Sequence, residues 1–159
     1  MSKPKKVITE YRHYELSPEF PLLVLHGERW HISDVKADRL HFHNCLEIGV
    51  CHSHSGRLDL GDHSVAYKAG DFTFIARNYP HTTYSTLGGK SLWSYIFVDI
   101  DEFFKSQSLL NTSGSLLPSL SYYIGNKDSS PRLYSYIMAV IDEMTERQPG
   151  YLTSVTGLM

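Results

Sequence analysis

Apolar and polar residues alternate with period two through most of the chain, and the pattern changes to the helical period only beyond Asp99. Alternation at period two predicts strands with one buried face. Val7 to about Leu16, with Tyr11 and Tyr14, reads as an edge strand punctuated by Pro18 and Pro21, and Leu22 to Ile32 as a longer strand. The charged run Asp34 to Arg39 predicts a turn into a strand from His41 to Cys51. Arg57 to Leu60 and Val65 to Tyr67 pair as a hairpin around Gly61-Asp62. Further strands follow at Phe72 to Ala76, His81 to Ser85 and Leu92 to Asp99, separated by Lys68 to Asp71, Arg77 to Pro80 and Gly88-Gly89. Short strands at regular spacing with glycine turns predict a sandwich or barrel.

The end of the chain reads differently. Asp101 to Gln107 suits a turn or two of helix, and Leu109 to Asn126 is rich in Ser and Gly around a short apolar piece. Ser130-Pro131 places a cap residue before a proline at the first helical position. Leu133, Ile137, Val140, Ile141 and Met144 then form one apolar stripe, which Pro149-Gly150 ends. Tyr151 to Met159 begins another helix and ends on apolar residues, so the expectation is that the parent chain continues.

Within the strand starting at His41, residues 41, 43 and 47 share one face, while Phe42, Leu46, Ile48 and Val50 share the other. The second face is apolar, so the polar set His41, His43 and Glu47 points at an internal site rather than bulk water. His81, delivered by a Gly-Asp turn and a proline loop, supplies a fourth group. Neutral imidazoles with a carboxylate suit Zn, Ni, Mn, Fe or Cu, whereas an all-oxygen site would suit Mg or Ca. The same groups also serve as hydrogen-bonding residues of a metal-free pocket, with Glu47 either ligating or orienting a histidine. A second pair, His52 and His54, falls on even positions beside Ser55-Gly56 and reads as a solvated loop. His13, His26, His31 and His63 have no partner in sequence and read as surface or edge residues.

Composition narrows the remaining classes. A chain of 159 residues makes one domain with a sizeable core. A net charge of −2 provides no clustered basic face for a phosphate backbone, since only Lys3, Lys5 and Lys6 cluster. No signal-peptide core and no apolar run of about 18 residues is present, so the expectation is a soluble, cytoplasmic protein. Cys45 and Cys51, six positions apart in one extended strand, would lie about 20 Å apart, too far for a disulfide. Trp30, Arg57, Trp93 and Tyr95 are candidates for lining a cavity around a small polar ligand, because aromatic platforms with a cation or hydroxyl orient such molecules. Each also suits plain packing, and Arg77 before His81 reads as a surface residue. Phosphate loops, GxSxG and CxxC are lacking, which leaves nucleotide binding and serine hydrolysis without support.

The HxHx3E set, Gly56 after it, and Gly70-Asp71 followed by Pro80-His81 resemble the two cupin motifs in order. With Trp93 to Phe97 and the amphipathic helix after the barrel, residues 20–159 resemble the N-terminal effector-binding domain of AraC-type transcriptional regulators. The resemblance implies a mainly β fold, a cupin-type double-stranded β-helix followed by C-terminal α-helices. It divides the chain into an N-terminal arm (1–20), a barrel (21–100) and a helical dimerisation tail (101–159). It implies metal-ligand positions at His41, His43, Glu47 and His81, a small polar effector such as a sugar in the barrel, a homodimer, and no catalysis. DNA would be reached only through a helix-turn-helix half outside these residues. The interval from Glu47 to Gly56 is longer than is usual for cupins, and Ala76-Arg77-Asn78 replaces the proline-rich turn before the second-motif histidine. A stand-alone metal-dependent cupin enzyme, of isomerase or dioxygenase type, and a metal-free carbohydrate-binding module use the same residues.

Overall fold

A computed structural model describes residues 8–106 and 121–159. Eleven strands and three helices occur among them. β1 (Ile8–Arg12), β4 (Arg39–His43), β9 (His81–Ser85), β6 (Ser55–Leu60) and β7 (His63–Lys68) form one sheet in the order β1-β4-β9-β6-β7. The facing sheet runs β11-β8-β5-β10-β2, from β11 (Tyr122–Asn126), β8 (Asp71–Ile75), β5 (Leu46–Cys51), β10 (Ser91–Val98) and β2 (Leu22–Leu25), with β3 (His31–Ile32) also on β10. Every pairing is antiparallel except β1 on β4. Two such sheets face to face, followed by helices, make the mainly β barrel that the alternation predicts and that the resemblance implies as cupin-type.

Strand parity decides where the core goes. On β5, Leu46, Ile48 and Val50 face outward and pack with Phe72, Ile96 and Val98 against Phe103, Ile137, Val140, Ile141 and Val155. These last belong to α1 (Ile100–Ser106), α2 (Pro131–Glu146) and α3 (Tyr151–Leu158). On the inner side Cys51, Leu58, Leu60, Tyr67, Ile75 and Trp93 close one end of the barrel. The apolar stripe of α2 is therefore the lid of the second sheet from Ile137 to Met144, whereas Leu133, expected in the stripe, is exposed in the first turn. Burial contributes roughly 1.5–3 kcal/mol per fully buried large side chain. Pro131 opens the helix, and Arg147, in the left-handed region at φ 52°, ends it.

Several boundaries differ from the expectation. The long strand from Leu22 to Ile32 is two strands, because Gly27 at φ 105° turns the chain between them. The histidine strand is also two strands in opposite sheets, bent at Asn44-Cys45. Tyr122–Asn126, expected within a Ser/Gly-rich linker, extends the second sheet alongside β8. The rest of that linker, up to residue 120, and the basic cluster near the N-terminus lie outside the described residues. Both cysteines are free and buried, and burial pushes each thiol up to about 12.

Candidate metal centre

His41 and His43 leave β4 on its inner face, and Glu47 reaches back from β5 in the opposite sheet. Parity survives the bend between them because two residues, Asn44 and Cys45, make it. His81 opens β9 as the direct register partner of His41. The expected set thus assembles, although from three strands in two sheets and not as three groups on one strand. Its four donor atoms lie within 4.8 Å of one another, and His43, Glu47 and His81 are buried.

The histidine tautomers follow from the hydrogen bonds. His81 Nδ1–H donates to the Tyr79 carbonyl at 2.9 Å, and His43 Nδ1–H to the Cys45 carbonyl at 3.4 Å. A carbonyl only accepts, so in each neutral ring Nε2 carries the lone pair. Among the described residues, both Nε2 atoms are buried without a hydrogen-bond partner. Yet they stand 2.9 and 3.5 Å from the same Glu47 oxygen, close but not aligned for donation. Lone pairs converging on a carboxylate repel unless a cation sits among them, so the residues fit a divalent transition metal. Ligands held about 2.1 Å from one ion stand roughly 3–4 Å apart, and the cluster is slightly more open than that.

Electrostatics point the same way. Burial opposes charge on Glu47, and charge and hydrogen bonding from His81 and His43, when these rings are protonated, outweigh it and hold its carboxyl well below the usual range. With both rings neutral that role would fall to a bound cation. Burial, reinforced by His81, drives His41 down to about 3, so its imidazole is neutral and its lone pair available at neutral pH.

Above the cluster opens a cavity of about 350 Å³, near the lower end for small-molecule sites. His41, Glu47 and His81 form its floor, and Trp30 and Tyr95 line its wall, as expected of cavity residues. Trp93 and Arg57 do not. Trp93 is 2% exposed and packs the closed end, its indole N–H donating to Ser91 at 3.1 Å. Arg57 projects from the outer face of β6 and binds Ser64, because inward positions of that strand belong to Leu58 and Leu60. Two cavity residues that the sequence reading leaves as edge positions are Arg12 and Tyr14. Asn44 clamps Tyr14 by two backbone hydrogen bonds of 2.9 and 3.0 Å, and the Tyr14 ring stacks on Phe97 at 3.9 Å. Nothing local in the sequence signals this, since the contact spans the barrel.

No known family and no curated protein matches the sequence. Among solved structures, the chain is similar to ToxT from Vibrio cholerae in two forms. One is 12% identical over 91% of this chain and 54% of ToxT, the other 14% identical over 89% and 52%, each with a TM-score of 0.53. A Cupin 2 conserved barrel domain protein from Salinispora arenicola is 12% identical over 59% of this chain and 87% of its own, with a TM-score of 0.43. The putative glyoxylate induced protein from Pseudomonas aeruginosa is 14% identical over 54% of this chain and 28% of its own, with a TM-score of 0.41. The chain thus shares its fold with ToxT and spans about half the length of ToxT. No helix among the described residues is long and apolar enough to cross a membrane.

Proposed function

We propose that this chain is the effector-sensing and dimerisation domain of an AraC-type transcriptional regulator, with a divalent metal at the base of the barrel cavity. The observation that carries the reading is the likeness to ToxT, an AraC-type regulator, over 91% of the chain, which requires the likeness to run past the barrel into the helices. A metal held by His41, His43, Glu47 and His81 would supply positive charge and an open position for an oxygen ligand. The chain's own residues do the rest. Effector in the cavity touches the segment bearing Arg12 and Tyr14, and the same β5–β10 wall carries α1, α2 and α3 on its other face. Occupancy can thereby bias how helices that pair two copies are packed, and so where a DNA-binding half sits.

The deciding experiment is to sequence the native reading frame beyond the codon for Met159. About one hundred further residues with two helix-turn-helix patterns and a basic balance support the regulator. A stop codon overturns it. The buried His/His/Glu/His set favours one competing reading, a metal-dependent cupin enzyme, which predicts chelator-sensitive turnover in a substrate screen.

A further inference from the structure

The cavity's chemistry narrows what it can hold, an inference that rests on the proposed reading of this site as a ligand cavity. Glu47 is the single carboxylate among the described lining residues, and a divalent ion bound to it with three neutral imidazoles leaves a net charge of about +1 at the floor. Arg12 lines the mouth and pairs with Glu10 at 3.1 Å, while Arg39, 3.8 Å from Glu10, pairs with Asp38 at 3.0 Å, so Arg12 is the guanidinium that the rim brings to the cavity.

The walls contribute donors. Tyr14 and Tyr95 both line the cavity, and neither hydroxyl has a hydrogen-bond partner among the described residues. The other tyrosine buried in the barrel, Tyr67, has its hydroxyl satisfied by Ser91 at 2.7 Å. A phenol is protonated near neutral pH, so each hydroxyl is able to donate. The rings are fixed as well. Tyr95 stacks on Trp93 and Phe97, and Tyr14 on the other partner of the same stack, Phe97. Fixed donors cost little side-chain entropy when a ligand arrives.

A neutral sugar asks a site for acceptors as well as donors, typically carboxylates placed along the wall. Above the floor this wall has no carboxylate, and its side-chain acceptors are neutral groups such as the hydroxyls of Ser33, Thr82 and Thr83. We propose that the cavity takes a small organic carboxylate, its oxygen atoms directed at the histidine floor, with Tyr14 and Tyr95 donating hydrogen bonds and Arg12 screening the charge at the mouth. The flat aromatic wall favours a planar acid.

The test is calorimetric titration of the zinc-loaded protein with salicylate, pyruvate and ribose. Saturable binding of salicylate or pyruvate, with ribose silent, is the expected result. Tyr95→Phe and Tyr14→Phe should each weaken the carboxylate by about tenfold, the value of one hydrogen bond to a charged acceptor. Arg12→Gln should weaken it less and flatten its salt dependence. Each variant's unchanged thermal midpoint without ligand certifies its fold. Ribose binding with both acids silent, no binding of any probe up to about 10 mM, or full affinity in both phenylalanine variants overturns the proposal. None of these results bears on whether helix-turn-helix units follow Met159, so the ligand class and the regulator reading fail separately.

Discussion

The chain holds two His-x-His pairs of identical spacing, and only one of them builds a site. His41 and His43 occupy inward positions of a central strand, and two other strands bring Glu47 and His81 to meet them. His52 and His54 follow the end of β5, where His54 takes a left-handed conformation at φ 62° and turns outward to solvent. His52 faces away from Glu47, as its even position predicts, but it is not a solvated loop residue. It is half-buried on the helix side, with Nε2 2.6 Å from the Ser94 hydroxyl, which also meets His26 Nδ1 at 2.7 Å. What separates the pairs is the partner each receives: a carboxylate and an imidazole in one case, a serine hydroxyl and a single edge histidine in the other. Spacing along one strand proposes a site, and the strands opposite decide it.

The sharpest way to break this comparison is to remove one histidine from each pair, and separately His81, which joins the first pair. His43→Ala and His81→Ala should each lower zinc affinity by more than the roughly 10–100-fold that outer-shell changes cost. They should also abolish the gain in stability from zinc, about 2.7 kcal/mol for the wild type at 100 times Kd. His54→Ala should leave both unchanged. Competition titration and thermal melts with and without zinc measure them, and equal losses in the two pairs would erase the distinction.

A smaller effect probes what the hairpin after the second pair does instead. Gly56 lies where a Cβ would collide with the Tyr84 carbonyl and the Tyr67 hydroxyl, both fixed within the first sheet and its core. Gly56→Ala should destabilise the fold by about 1–3 kcal/mol, an overpacking cost, read as a lower urea midpoint, while zinc affinity in the folded protein holds.

The smallest effect is a pH dependence. Burial, and then His26, depress His52 below the ordinary imidazole value, with Asp142 of α2 opposing them. The folded state therefore binds fewer protons than the unfolded one. The resulting stability is complete above the unfolded value of about 6.5 and declines as pH falls toward the depressed folded value. His52→Gln should flatten that part of the decline between pH 7 and 5, measured by urea midpoints. A decline of unaltered slope would show that His52 stays uncoupled from folding.

Sequence by itself determined the alternation, and alternation determined which face of each strand is buried. His41, His43 and Glu47 share a side because parity is local and survives even a two-residue bend. The α2 stripe from Ile137 onward and the helix start at Ser130-Pro131 were equally legible, since helical periodicity and the fixed φ of proline act within a few residues, although the Ser130 side chain makes no capping hydrogen bond. Tertiary structure decided everything that depends on distance across the barrel. It split the histidine strand between two sheets, put His81 opposite His41, drew Tyr122–Asn126 into the second sheet, and carried Tyr14 to the cavity on Asn44. It also moved Arg57 outside and sealed Trp93 away at the closed end. A side chain's face is fixed by its neighbours in sequence, but its depth and its company are fixed by which strands close the sheet, and those contacts are non-local.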